Sequence, residues 1–553
     1  MSEPADGVPG GPPPASTTQA TFCATLVDEW VRAGVRHAVV APGSRSTPLA
    51  LALADRPELA LHVVLDERSA AFCALGIGQA TGVPAVALCT SGTAATHFHA
   101  AVVEAGLSGV PMLVCTADRP PELHDVGAPQ TIDQQRLFGG AVRWFADPGV
   151  ADDVARWSWR SLASRAWLEA RAGGPVHLNL PFREPLVAEP SDLPQGRSGA
   201  APWHAERRSA PAGGLSLPAS RGIIVAGGGA SVDLAHFGWP VLADPLSGLR
   251  RPGAIGAGDA LARCGAWLQG HQPEAVVHLG RPLASKAVGQ WLAGLDAEHV
   301  LVDPDRRWSD PERQAAVIVD GVAGVGGAPD GWLAGWQEAE RLAQSAFTRV
   351  LADHPEPTEP GVARALTACL PDGAHLVVSS SMPVRDVESY MVPRPGLSVW
   401  SNRGANGIDG VTSTALGVAL GRRPEPTWAL LGDLAFLHDG SGLTGLAARD
   451  VDLTLVVVDN HGGGIFSFLP QASLLPWERF EQLLGTPQDV DLLGLAGAHG
   501  IPGVEVDRMA DLEAAVLGGP GGVRLVLVRT DRAANVVVHA ELQAAVEAAL
   551  EGI

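Results

Sequence analysis

Thr427-Trp-Ala-Leu-Leu-Gly-Asp433 and Leu453-Thr-Leu-Val-Val-Val-Asp459-Asn460 decide how this chain is read. Each is an apolar run of strand length that stops at an oxygen-bearing side chain, and residues 434–452 between them are enough for a crossover helix. The pattern predicts a βαβ unit with Asp433 and Asn460 at the carboxyl ends of neighbouring parallel strands, where open α/β sheets hold their ligands. A hard divalent cation suits such a position. Mg²⁺ takes about six oxygens and shares them between carboxylate, amide or carbonyl groups and a ligand's phosphate. His461-Gly-Gly-Gly464 follows at once, a loop whose backbone can come close to an anion. Taken alone, the same residues also fit a buried strand followed by an ordinary glycine-rich turn.

Outward from this unit, the chain divides into three α/β blocks. From 17 to 186, apolar runs at 38–41, 61–65, 85–89, 112–116 and 176–180 alternate with helical patterns, which predicts a doubly wound parallel sheet. Residues 187–221 are rich in Pro, Ser and Gly and read as a linker. A middle block, 222–351, opens with Ile223-Ile-Val-Ala-Gly-Gly-Gly229; the third glycine of a dinucleotide fingerprint is missing, which argues against nucleotide binding there. The break His354-Pro-Glu-Pro-Thr-Glu-Pro360 falls near the start of the last block, 352–553. The expected class is therefore α/β, with three doubly wound parallel-sheet domains. Residues 1–16 are rich in Pro and Gly, with no basic residue before Arg32, and read as a disordered start without a targeting signal.

At 553 residues and 46% hydrophobic content the chain can bury three cores. A net charge of −21 argues against nucleic acid or an anionic membrane surface as partner, and no apolar run is long enough to span a bilayer. Cys23, Cys73, Cys89, Cys115, Cys264 and Cys369 are scattered without a CxxC pair, as expected of reduced thiols in a cytoplasmic protein.

The Asp433 and Asn460 spacing resembles the thiamin diphosphate (ThDP) motif, Gly-Asp-X followed by roughly two dozen residues and Asn-Asn. Leu434 stands where Gly is commoner, and Asp459 replaces the first Asn. The resemblance implies Mg²⁺ (or Mn²⁺) held by Asp433, Asn460 and the Gly462 carbonyl. Gly432, Leu434, Gly463 and Ile465 would lie against the coenzyme, with its phosphates beside the helix that begins at Asp433. It also requires a carboxyl group for the aminopyrimidine N1′, for which Glu67 is the candidate, at the end of an apolar strand and the start of an Ala/Gly-rich helix. Partial burial there would raise its pKa and favour the protonated donor; the plainer reading is a helix cap or an ion-pair member.

Ala41-Pro-Gly-Ser-Arg-Ser-Thr-Pro48, Thr116-Ala-Asp-Arg-Pro-Pro-Glu-Leu123, Gly127-Ala-Pro-Gln130, Ser380-Ser-Met-Pro-Val-Arg385 and Ser401-Asn-Arg-Gly-Ala-Asn-Gly-Ile-Asp-Gly410 together resemble one branch of these enzymes. It is the 2-succinyl-5-enolpyruvyl-6-hydroxy-3-cyclohexene-1-carboxylate (SEPHCHC) synthase family of menaquinone biosynthesis. The resemblance implies decarboxylation of 2-oxoglutarate and addition of the resulting succinyl carbanion to isochorismate, within a homodimer or a dimer of dimers. Both substrates are dianions, and Arg meets a carboxylate through two parallel charge-assisted hydrogen bonds. Arg45, Arg119, Arg385 and Arg403 would clamp carboxylates, while Ser44, Gln130 and Ser381 orient the reacting groups. Ile465, Phe466 and Leu469 would form an apolar wall, and Ile408 would prop the coenzyme; the alternative for these four is plain core packing. Lys286, the sole lysine, aligns with a substrate-reaching lysine of the middle domain. An acetolactate-synthase-like carboligase would share the metal motif and Glu67 without calling for these arginines. A noncatalytic relative would be expected to have lost Glu67 or Asp433.

Overall fold

The computed structural model describes residues 14–206, 215–218, 221–230, 238–519 and 521–551. Most of the expected disordered start lies outside them, and the first helix, Ala15–Ala33, begins two residues ahead of the expected boundary.

The first sheet is all parallel. It consists of β1 (His37–Val40), β2 (Ala60–Val63), β3 (Ala85–Cys89), β4 (Met112–Asp118), β5 (Trp144–Ala146) and β6 (Pro175–Pro181), in the order β2-β1-β3-β4-β6-β5. Every residue of β3, β4 and β6 is buried, as expected for strands covered on both faces. One flank is closed by helix Ala15–Ala33 against helix Trp159–Arg171, where the Trp30 indole donates to the Ala163 carbonyl.

The middle sheet contains β8 (Gly222–Ala226), β9 (Val241–Ala243), β10 (Ala275–Leu279), β11 (Glu298–Val302) and β12 (Val317–Val319), ordered β12-β11-β10-β8-β9. Beside it, β7 (Leu215–Leu217) pairs in parallel with β13 (Val322–Val325), so the stretch expected as linker includes a strand. Gly227 is required by packing: a Cβ there would lie 1.6 Å from the Arg281 carbonyl oxygen.

The third sheet comprises β14 (Ala374–Val378), β15 (Leu397–Trp400), β16 (Thr427–Gly432), β17 (Leu453–Asp459), β18 (Gly503–Val506) and β19 (Val523–Arg529), ordered β15-β14-β16-β17-β19-β18. Counted along the chain, its strands run 2-1-3-4-6-5, the order of the first sheet. The connection from β16 to β17 differs from the expected crossover helix. It is a short helix, Asp433–His438, followed by two 3₁₀ turns, Gly440–Leu443 and Leu446–Ala448. Gly440, Gly442 and Gly445, the last at φ +71°, interrupt the helix.

The chain forms two compact units, Met1–Arg207 with Arg403–Arg422, and Arg208–Asn402 with Arg423–Ile553. The segment Arg403–Arg422, expected with the last block, packs in the first unit because helix Val411–Gly421 meets helix Glu67–Thr81 backbone to backbone. A Cβ on Gly417 would lie 2.1 Å from the Cys73 carbonyl oxygen, and one on Gly76 would lie 2.2 Å from that of Thr414. Among the described residues no helix is long and apolar enough to cross a membrane. All six cysteines are free thiols, five of them buried.

Candidate active site

In the third sheet, β14, β16 and β17 are neighbours, so Ser381, Asp433 and Asn460 follow three adjacent carboxyl ends. Asp433 and Asn460 are both buried. The Asp433 Oδ2 accepts from the Gly462 amide at 2.7 Å, and burial pushes this carboxyl up to about 6. The Asn460 Nδ2 donates to Glu359 at 2.7 Å, which leaves its Oδ1 buried and without a hydrogen-bond partner. An acid held above its ordinary pKa beside an orphaned amide oxygen is a donor set short of a positive charge, and it fits a hard cation.

Of the two departures from the motif, that at Asp459 has a structural account. Asp459 turns aside to pair with Arg529 at 2.7 Å, so the exchanged amide is absent from the Asp433 and Asn460 hydrogen bonds. Leu434 is half-buried within the short helix. The glycine loop is needed for packing as well: a Cβ on Gly462 would lie 2.1 Å from the Gly485 carbonyl oxygen, and one on Gly464 would lie 2.4 Å from the Asn460 Nδ2.

Ser381 caps helix Met382–Tyr390 at φ +76°, a conformation that costs a non-glycine residue about 1–3 kcal/mol and recurs at functional sites. The Arg385 guanidinium donates to the Ser381 carbonyl at 2.6 Å. Beyond the glycine loop, Ile465 and Phe466 are half-buried and Leu469 is exposed. Ile408 is also half-buried, so none of the four is fully buried.

In the first unit, Glu67 is the first residue of helix Glu67–Thr81, and the cap is its neighbour Asp66, which accepts from the Ser69 amide at 3.0 Å. Glu67 is thus free of the capping role and half-buried. It lies near Cys89 at the end of β3, whose thiol is raised well above its ordinary pKa by burial and then by the Glu67 charge. Arg45 follows β1 and is buried; it donates to the Phe182 carbonyl at 2.9 Å and to Glu184 at 3.1 Å. Arg119 follows β4 and donates to the Ser91 hydroxyl at 2.6 Å. Burial, and then the nearby Arg45 charge, lower the Arg119 guanidinium from its ordinary pKa, so two cations converge on one sheet edge. Gln130 packs against Gly92, a residue after Ser91, and Ser44 stands exposed in the Arg45 loop. Arg403 is half-buried at the start of a loop seated by Glu104, whose buried carboxylate accepts from the Gly404 and Ala405 amides at 2.7 and 2.6 Å.

Lys286 belongs to the middle block. It is exposed at the start of helix Lys286–Ala293 and lines a pocket of about 180 Å³ with His278, Arg281, His299 and Asp310; all its walls come from residues 225 and 278–314. Sequence reasoning missed Glu359, Glu104, Glu184, Ser91 and Gln134, the last of which accepts from the Gly92 amide at 2.9 Å. None has a motif of its own. Only Glu359, in the Pro/Glu break, sits in a stretch that had drawn notice.

Two parallel sheets of identical strand order, one with a buried acid and amide after neighbouring strands and the other with a carboxyl group at a helix start, have the make-up of a thiamin diphosphate enzyme. Residues 21–137 match the family described as thiamine pyrophosphate enzyme, N-terminal TPP binding domain, and residues 386–528 match its C-terminal TPP binding domain. The chain is 43% identical to the 2-succinyl-5-enolpyruvyl-6-hydroxy-3-cyclohexene-1-carboxylate synthase of Saccharopolyspora erythraea, over 97% of this chain and 100% of that protein. It is 45% identical to the synthase of the same name from Thermobifida fusca, over 95% and 98%, and 41% identical to that of Chloroflexus aurantiacus, over 94% of each. The chain belongs to the 2-succinyl-5-enolpyruvyl-6-hydroxy-3-cyclohexene-1-carboxylate synthase family.

Proposed function

We propose that this protein joins 2-oxoglutarate to isochorismate with loss of CO₂, giving SEPHCHC for menaquinone biosynthesis, and that it works in the cytoplasm as a homodimer or a dimer of dimers. The observation that carries this reading is the convergence of Arg45 and Arg119 on one sheet edge, within motifs of a family named for that product.

Asp433, the Asn460 Oδ1 and the Gly462 carbonyl would hold Mg²⁺ or Mn²⁺, with Gly432, Leu434 and Gly463 against the diphosphate. When bound, ThDP supplies the electron sink that carbon–carbon bond formation after loss of CO₂ requires. The chain's own groups position and neutralise. Glu67 holds a hydrogen bond at the aminopyrimidine N1′, and Ile408 props the coenzyme. Arg45, Arg119, Arg385 and Arg403 neutralise substrate carboxylates, while Ser44, Gln130 and Ser381 orient them. Ile465, Phe466 and Leu469 exclude water from the reacting carbon. Lys286, at a pocket built from residues 225 and 278–314, would reach the substrates from the middle domain.

The test is to incubate the protein with ThDP, Mg²⁺, 2-oxoglutarate and isochorismate and to follow isochorismate loss. Loss that needs ThDP, with pyruvate a poor replacement for 2-oxoglutarate, is the expected result. Glu67→Gln should remove most turnover while Mg²⁺-dependent ThDP binding persists. Equal use of pyruvate, or loss indifferent to ThDP, refutes the assignment.

A further inference from the structure

Glu359 is the first residue of helix Glu359–Cys369 and is buried, far in sequence from the residue it touches. One of its oxygens, Oε1, accepts from the Asn460 Nδ2 at 2.7 Å and from the Thr530 hydroxyl at 3.4 Å. In this bond Glu359 accepts and the Asn460 Nδ2 donates, so the NH₂ side of the amide faces Glu359. The other side, Oδ1, is then aimed away from Glu359, buried and without a hydrogen-bond partner. An amide free to rotate could offer either end to a cation, and the NH₂ end would repel it.

We infer that Glu359 is a positioning residue: it locks the Asn460 amide with Oδ1 directed to the cation and thereby sets the protein's metal affinity. The inference rests on the proposed metal-ligand role of Asn460. Groups that orient a metal ligand change affinity by about 10–100-fold when removed, and an amide that must be kept from rotating belongs to that class.

The experiment is a double-mutant cycle on the full chain with saturating ThDP, titrated with Mn²⁺ and read by the electron paramagnetic resonance of free Mn²⁺. Glu359→Ala should raise the Mn²⁺ Kd about 10–100-fold in the otherwise unchanged protein and less than about 2-fold once Asn460→Ala is present. Glu359→Gln, which keeps an acceptor but adds a competing donor, should fall between; if Glu359→Ala does not fold, the cycle is run with it instead. The pair Glu359→Gln with Asn460→Asp exchanges donor and acceptor and should bind Mn²⁺ more tightly than Glu359→Ala. An unchanged Kd for the Glu359 variant used, or the same weakening in both backgrounds, overturns the inference. If Asn460→Ala itself leaves the Mn²⁺ Kd unchanged, the metal-ligand assignment fails instead.

Discussion

Gly417→Ala should disable the protein without touching a charged or polar group of the site. The Cβ it adds would lie 2.1 Å from the Cys73 carbonyl oxygen and 2.9 Å from the Gly76 Cα. An ordinary carbon–oxygen contact is about 3.3 Å, and both obstacles are helical backbone, so helices Glu67–Thr81 and Val411–Gly421 must part by roughly 1 Å. Overpacking of this kind costs about 1–3 kcal/mol. Replacing Gly by Ala inside a helix returns about 1 kcal/mol, for a net loss of about 0–2 kcal/mol. The larger effect falls on turnover. Glu67 begins one of these helices, and the loop carrying Arg403 and Ile408 leads into the other. A 1 Å displacement of positioned groups costs on the order of 100-fold in rate, which corresponds to about 2.7 kcal/mol of barrier. Thermal melting and steady-state isochorismate consumption would be measured beside Gly497→Ala, a helical glycine with nothing within 4 Å of its added Cβ. The expected pattern is a modestly lowered Tm and a turnover down by about 100-fold for Gly417→Ala, with Gly497→Ala active and at least as stable as the parent. A Gly417→Ala protein with parental Tm and turnover would show that the helix contact does not set the site.

Two further outcomes follow from the site and its surroundings. Asp433→Ala should weaken Mg²⁺-dependent ThDP retention by at least about 10-fold, measured by coenzyme titration; unchanged retention would remove Asp433 from the metal site. His177 is fully buried, its Nε2 is 2.8 Å from the Thr116 hydroxyl, and burial holds it down at about 3, so the folded state keeps it neutral while the unfolded chain takes up a proton below about 6.5. Its contribution is therefore intact above pH 6.5 and shrinks as pH falls toward 3, by about 2 kcal/mol at pH 5; urea unfolding between pH 8 and pH 5 should show His177→Gln losing that much less stability than the parent, and equal losses would refute the linkage.

What could be read from the sequence was local. The runs 85–89 and 453–459 are strands over those same residues, because strands of a doubly covered parallel sheet are apolar throughout and end where chemistry begins. The placing of Asp433 and Asn460 after strand ends was legible for the same reason, whereas Glu67, expected at a strand end, begins a helix after β2 has closed at Val63. The partners of these residues were not legible. Glu359 meets Asn460, Glu104 meets Gly404 and Glu184 meets Arg45 only because the fold brings together segments far apart in sequence; no period or motif encodes such a meeting. Asp459 shows the converse. It departs from the motif, yet its side chain leaves for Arg529, a direction the sequence could not supply.

The shared strand order of the first and third sheets sets a problem that charge solves. The same topology presents the same kind of crevice, yet the first sheet's edge gathers Arg45 and Arg119, while the third's gathers Asp433 with Glu359 and Asp386 close behind. Burial, and then Asp386, hold Glu359 well above the usual carboxylate range, and burial does the same for Asp433. A diphosphate approaching the third edge directly would meet acids, so it needs a cation between, and Asp433 and Asn460 have the oxygens to hold one. A dicarboxylate at the first edge needs no metal, because guanidinium groups bind it unaided. On the proposed function, one fold used twice thus meets its two anionic cargoes by different means: coenzyme phosphate through a metal at Asp433 and Asn460, substrate carboxylates through arginine, with Arg45 and Arg119 on the first edge and Arg385 on the third.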